Sequence, residues 1–260
     1  MLYSTMHKIP PKIQKMAEVG HIAYLIREET AAYVKPGRST LEIDRFAKRL
    51  MDEYGVTSLS YGASDEEAGV ETPFPGYICV SLNDEVTHGI GRSDVIIQDG
   101  DMVSIDVAVQ KDGWCGDNCT TVVAGKPSKA QAKLMDVTYE AMQRGIASAK
   151  TGARVGDISH AIQSFAQSEG FSVVRDLAGH GIGQNIWEEP MVPNFGKPKT
   201  GPKLKEFQTI ALDTMLNEGG SRVVFDPFDK WTVRTADGKN ACVFEETFYV
   251  SKEGGVVLTK

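Results

Sequence analysis

The sequence predicts an α+β fold built from two similar halves, and three observations carry that prediction. A helix–helix unit with the same order of elements and the same glycine stops occurs twice, at an offset of 115 residues. Each copy runs on into short β-prone stretches. No Pro/Gly/Ser-rich linker divides the copies, so they share one domain with a crevice between them.

The elements follow in order. Residues 11–34 read as a helix, because Ile13, Met16, Ala17, Ala23 and Ile26 recur at roughly helical spacing after Pro10-Pro11. Lys35-Pro36-Gly37 stops it. Ser39-Thr40-Leu41-Glu42 is a capping box that opens a second helix, which ends near Tyr54-Gly55. Residues 78–82 are β-prone, and residues 101–123 form a hairpin around Lys111-Asp112-Gly113. Pro127-Ser128 opens a third helix to about Ala149. Lys150-Thr151-Gly152 stops it, and a fourth helix spans Val155 to Ser168 before Glu169-Gly170. Residues 208–216 and 241–250 are the second half's strands. Across the offset Lys35 meets Lys150, Gly37 meets Gly152, Ile43 meets Ile158, Gly55 meets Gly170 and Ala32 meets Ala147. The expectation is one domain over residues 1–260, with halves of roughly 10–125 and 126–260 related by a pseudo-twofold axis.

The hairpin carries the first chemical signal. A two-residue Asp112-Gly113 loop sets Asp106 opposite Cys119, two residues from Asp117; a bulged turn sets Asp106 directly opposite Asp117. In either register the two carboxylates share a face, because strand side chains alternate with period two. Cross-strand neighbours lie about 5 Å apart. Two bare carboxylates that close repel one another and resist burial, and a divalent cation between them is the simplest remedy. Asp213 sits in a β-prone run on one face with Thr209 and Ala211, and Glu245 in another with Val243 and Thr247. A lone carboxylate in an apolar strand is costly to bury unless paired or metal-bound. His180 lies between Gly179 and Gly181, which let the backbone approach a site closely. Four carboxylates and one imidazole suit Mn, Fe, Co or Zn, and the sequence does not choose among them.

Bulk properties narrow the classes of function. The chain has 260 residues, is 41% hydrophobic and carries a net charge of −7 without a basic stretch, which argues against a direct nucleic-acid site. No apolar run is long enough for a membrane span, and the first residues lack a secretory h-region. Cys79, Cys115, Cys119 and Cys242 lack the spacing of a zinc knuckle and read as reduced thiols of a cytoplasmic protein. Plainer roles go to Asp112 as a turn former, to Cys115 and Cys119 as small buried groups, and to His7, His21 and His160 as surface residues. The glycines of 179–183 lack the helix and Lys-Ser/Thr pair of a phosphate loop.

Over nearly its whole length the chain resembles type I methionine aminopeptidases of the pita-bread fold. The resemblance rests on Lys35-Pro36-Gly37, the stretch from Ser81 through His88-Gly89, and Asp101 to Asp117. It continues in Gly179-His180-Gly181-Ile182-Gly183, Glu188-Glu189-Pro190, Trp231-Thr232-Val233 and Phe244-Glu245. It implies two divalent ions, with Asp117 and Glu245 bridging, Asp106 completing one, and His180 with Asp213 completing the other. It implies hydrolysis of an N-terminal methionyl bond by an activated water. Asp213 would relay the proton, and His88 would hydrogen-bond the scissile amide or the departing group. Phe74, Cys79 and Trp231 would line the methionine pocket. The implied partners are methionine peptides or nascent chains, with the ribosome as a further candidate, and the implied state is a monomer.

The chain departs from the family pattern at Asp213, Trp187 and Glu71, and Gln184-Asn185-Ile186 lacks the aromatic usual before the second histidine. Asp213 stands where Glu is usual, so its oxygens retreat by roughly 1.5 Å, one C–C bond. Trp187 replaces a second histidine before Glu188-Glu189-Pro190; it donates only through its indole N–H and adds bulk to the substrate path. Glu71 replaces an aromatic at the pocket rim. These departures leave an alternative: a divergent member with altered substrate preference or without peptidase activity, binding peptides or a partner instead.

Overall fold

The repeated helix grammar folds into two helical pairs laid on one sheet. The computed structural model describes residues 9–64 and 72–260; Glu71 and His7 lie outside them. The first half comprises α1 (Pro11–Tyr33), α2 (Thr40–Tyr54), β1 (Thr57–Ser58), β2 (Cys79–Leu82), β3 (Glu85–Thr87), β4 (Met102–Lys111) and β5 (Trp114–Val123). The second comprises α3 (Lys129–Ser148), α4 (Val155–Ser168), β6 (Ser172–Val173), β7 (Ala178–Gly181), β8 (Glu188–Pro193), β9 (Thr209–Asn217), β10 (Val223–Phe225), β11 (Val233–Thr235), β12 (Ala241–Val250) and β13 (Gly255–Val257). The main sheet runs β1-β4-β5-β12-β9-β7-β8, with β2 beside β4, β6 beside β9 and β13 beside β12; all its pairings are antiparallel. A smaller sheet has the order β10-β11-β3.

The predicted signals do the work assigned to them. Ser39 Oγ accepts from Glu42 N at 3.2 Å while the Glu42 carboxylate accepts from Ser39 N at 2.7 Å. Ser128 and Gln131 repeat that box at the start of α3. Gly37 and Gly152 hold φ of 88° and 89°, and Gly55 and Gly170 hold 65° and 91°. A side chain is strained there, which accounts for glycine at both members of each pair. Equivalent loop bonds follow: Thr40 N donates to Val95 O, and Val155 N to Pro202 O, each at 3.0 Å.

Each half has its own core between helices and sheet. Ile26, Ile43, Met51, Ile105 and Val107 fill the first; Met142, Ile158, Ile162, Leu212 and Phe248 fill the second. The inward residues alternate along the strands with the candidate ligands, so the sheet turns its apolar face to the helices and its acidic face away. Among the described residues no helix is long and apolar enough to cross a membrane.

The hairpin settles the register left open by the sequence. Lys111 pairs with Trp114, and Asp112 and Gly113 adopt φ of 50° and 76°. That is the two-residue turn whose positive φ values match strand twist. Asp106 therefore faces Cys119, and Asp117 faces Ala108.

Candidate metal centre

The strand registers assemble the site as two rows across the sheet. The first row runs Cys79–Asp106–Cys119–Glu245–Asp213, each residue paired with the next. The second, two residues along each strand, runs Ala108–Asp117, then Thr247–Ala211–His180. Period-two alternation puts both rows on one face. Five neighbouring strands thus contribute one ligand-type side chain each. The intervening positions are small: Ala108, Cys119, Thr247 and Ala211. They leave room for carboxylates to converge.

Asp117, His180 and Glu245 form the tight core of the group: one ligand atom from each lies within 4.8 Å of the others. His180 Nε2 is 3.7 Å from Asp117 Oδ2 and 4.0 Å from Asp213 Oδ2, beyond direct hydrogen-bond reach. Its Nδ1 lies 3.0 Å from the Gly181 carbonyl. Donation there assigns the proton to Nδ1 and turns the Nε2 lone pair toward the carboxylates, the tautomer a metal ligand needs. Asp213 stands just outside the tight core, in keeping with its short side chain. Asp106 lines the same cavity beside Cys79.

The electrostatics define the chemical character of the site. Burial, and then the neighbouring carboxylates, push Asp117 and Glu245 well above the usual carboxylate range. Burial and the nearby Asp106 do the same to Asp213. Burial carries Asp106 up to about 7, against a lowering hydrogen bond from Cys79. Burial pushes His180 down, so its imidazole is neutral. Asp117 Oδ1 and Glu245 Oε1 are buried without a hydrogen-bond partner among the described residues. Buried oxygens ordinarily find partners. Orphaned, mutually repelling oxygens facing an imidazole lone pair fit divalent cations, and the oxygen-rich, single-nitrogen donor set fits them chemically.

An apolar pocket adjoins the acids. Phe74, Cys79 and Trp231 are buried and pack together, with Ala63 and Ile90 against them. The Phe74 and Trp231 rings meet edge-on at 5.3 Å, and His88 meets Trp231 edge-on at 6.1 Å. His88 has a φ of 56°, a rare backbone state for a residue with a side chain and one that recurs at functional sites. Ala63, Phe74, Cys79, His88, Trp231 and the acids line a cavity of about 550 Å³, with Trp187 at its wall. His21 and His160 stay at the surface, outside the site.

Several supporting residues carry no sequence signal. Buried Asp44 accepts from Tyr77 N at 2.6 Å and Ile78 N at 3.1 Å, fixing the segment between Phe74 and Cys79. Thr247 Oγ1 donates to Asp117 O, and Thr121 Oγ1 to Val243 O, each at 2.8 Å. Arg27 reaches from α1 to Glu246 Oε1 at 3.2 Å, beneath the acidic row.

The comparisons with known proteins bear on this geometry. The profile of metallopeptidase family M24 matches residues 14–252. Methionine aminopeptidase 1 of Bacillus subtilis is 40% identical over 97% of this chain and 98% of its own length. The crystal structure of methionine aminopeptidase from Rickettsia prowazekii superposes with a TM-score of 0.90 at 34% identity, covering 96% of this chain and 97% of that one. Prolidase from Pyrococcus furiosus, at 18% identity and a TM-score of 0.74, shares the pita-bread fold alone and is covered over 65% of its length.

Proposed function

The chain belongs to metallopeptidase family M24, and from that premise we propose that it is a metal-dependent aminopeptidase removing N-terminal methionine from nascent chains or short peptides. The observation that carries this reading is the pair of unpartnered buried oxygens, Asp117 Oδ1 and Glu245 Oε1, beside a closed apolar pocket.

In this reading Asp106, Asp117, His180, Asp213 and Glu245 would hold two divalent ions drawn from Mn, Fe, Co or Zn. When bound, such ions supply Lewis-acid charge that acidifies water and polarises a carbonyl. The protein's own groups do the rest. Phe74, Cys79 and Trp231 take the methionine side chain and exclude water from it. His88, held in its strained backbone state, donates a hydrogen bond to the scissile amide. Asp213 accepts a proton and passes it to the departing amine. Trp187 walls the path along which the peptide leaves. Residues 10–125 and 126–260 act as halves of one catalytic domain that meet at the site. The reading extends to a monomer in the cytoplasm, with access to chains leaving the ribosome; four buried, unbridged thiols agree with that setting.

The deciding experiment is hydrolysis of Met-Ala-Ser against Leu-Ala-Ser and Pro-Ala-Ser. Apo-protein is reloaded anaerobically with Mn, Fe(II), Co or Zn in turn. Methionine-selective, metal-dependent release is expected. No release with any ion, from protein shown to bind them, overturns the reading in favour of a peptide-binding role.

A further inference from the structure

The buried positions of α1 include Ile13, Met16, Val19, Ala23 and Ile26, and Arg27 interrupts them with a charge. The Arg27 side chain is 7% exposed. Burying a guanidinium is costly unless its donors are met. Here they are met from both sides. Nε and Nη2 lie 3.2 and 3.1 Å from Glu28 Oε1 on the same helix. Nη1 crosses into the second half, where it donates to Glu246 Oε1 at 3.2 Å and, more weakly, to the Glu245 carbonyl at 3.5 Å.

That crossing point is where the sheet itself holds β12 least. The ladder between β5 and β12 is confined to Glu245↔Cys119 and Glu246↔Asn118. Strand alternation turns Glu245 toward the acids and Glu246 toward the helices. A single peptide step therefore joins the metal-site carboxylate to the carboxylate that Arg27 grips. The other oxygen of Glu246 accepts from Thr259 Oγ1, which itself accepts from Thr247 N at 3.1 Å. These bonds, charge-assisted at Glu246, restrain the backbone that aims Glu245.

We propose that Arg27 is a positioning residue for the metal centre. Gripping the Glu245–Glu246 step from behind the sheet, it aims the Glu245 carboxylate at Asp117 and His180. This rests on the metal-dependent reading above. Arg27 acts through Glu245 and does not touch the reacting atoms. Contacts that orient a ligand from behind are worth about 10–100-fold in metal affinity.

The test compares Mn and Co affinity, read by calorimetry on the full chain, with melting of the metal-free protein. Two variants keep the net charge, so neither alters the overall attraction for a cation. Arg27→Lys leaves a cation for Glu246, but one ammonium on a flexible stem does not reproduce the guanidinium's rigid fork. Arg27→Met/Glu246→Leu removes both buried charges together, a change that often leaves stability equal or higher. Thr259 Oγ1 then keeps an acceptor in Thr247 O at 3.4 Å. Both variants are expected to melt within a few degrees of wild type and to bind Mn or Co at least about tenfold more weakly. The visible absorption of the Co-loaded protein, which reports ligand geometry, is expected to shift. Wild-type affinity and spectrum in a folded variant overturn the proposal and reduce Arg27 to an ion pair between the halves. Loss of the fold in both variants overturns it in the same way. A wild-type chain that binds neither ion overturns the metal-dependent reading and the positioning role together. One that binds ions yet cuts no methionyl peptide overturns the aminopeptidase alone.

Discussion

The Thr247 hydroxyl donates to the Asp117 carbonyl across 2.8 Å, at the seam where the two halves of the sheet meet. β5 and β12 pair only at Glu245↔Cys119 and Glu246↔Asn118. Beyond those pairs, side-chain hydroxyls stand in for ladder bonds: Thr247 on one side, and Thr121, bonded to both Val243 N and O, on the other. Two converging carboxylates, Asp117 and Glu245, hang from this seam.

Thr247→Val keeps the shape and removes the donor. An unmet buried carbonyl costs about 1–3 kcal/mol, so the melting temperature should fall by several degrees. If the hydroxyl also positions Asp117, affinity for Mn or Co, read by calorimetry, should drop about 10–100-fold, as for other supporting contacts of metal sites. Thr247→Ser should restore both. Lowered melting with unchanged metal affinity would reduce Thr247 to a structural bond.

That seam marks where the sequence stops being legible. The helices were readable because Ser39/Glu42 and Ser128 announce their starts, and the repeated glycines announce positive φ. The shared face of Asp106 and Asp117 was readable because period two holds in either register. The choice between registers was not, since it depends on how the turn residues settle. Nor was the lateral order of strands, which brings His180 and Asp213 beside Glu245. Long-range pairing is decided by packing rather than by local pattern. The pocket residues Phe74, Cys79 and Trp231 rest on family resemblance alone, because apolar side chains that pack together, as these do, look like any other core cluster in the sequence. Thr247, Asp44 and Arg27 had no signal, because a hydroxyl or charge within an amphipathic run looks like any other.

The acidic rows predict an inverse pH dependence in the metal-free protein. A carboxylate with a raised folded pKa contributes stability that is fully present below its unfolded value and is lost as pH rises through the folded one. For Asp106 that window runs from about 4 up to about 7, and Asp117, Asp213 and Glu245 shift in the same direction. Apo-protein should therefore melt lower at pH 7.5 than at pH 5. Saturating Mn or Co, which binds the deprotonated groups, should raise the melting temperature more at pH 7.5. Scanning calorimetry with and without chelator reads both. An apo-protein that gains stability across this window would contradict the assignment.

Asp117→Asn separates stability from function. The amide keeps the size of the side chain and removes one of several repelling buried charges. The apo-variant should melt higher than wild-type apo-protein by a few degrees, since about 1 kcal/mol moves a chain of this size by roughly 2–4 °C. Metal affinity and methionyl-peptide hydrolysis should both fall by more than about a hundredfold, beyond what a supporting contact alone is worth. A variant that binds two ions with wild-type affinity would remove Asp117 from the ligand set.

Trp231 ties the pocket to its surroundings through two kinds of contact. Its indole N–H donates to the Thr72 carbonyl at 2.8 Å, and its ring meets Phe74 edge-on. Trp231→Phe keeps an aromatic ring while deleting the donor; Trp231→Leu deletes both. If the ring forms the wall against the methionine side chain, KM for Met-Ala-Ser should rise severalfold in Trp231→Phe. It should rise by about 10–100-fold in Trp231→Leu, the scale of a few lost apolar contacts. kcat should change less in both, because the carboxylate rows are built on other strands. The opposite pattern, an unchanged KM with a collapsed kcat, would move Trp231 out of the pocket wall. It would then act through His88, whose ring it meets edge-on at 6.1 Å.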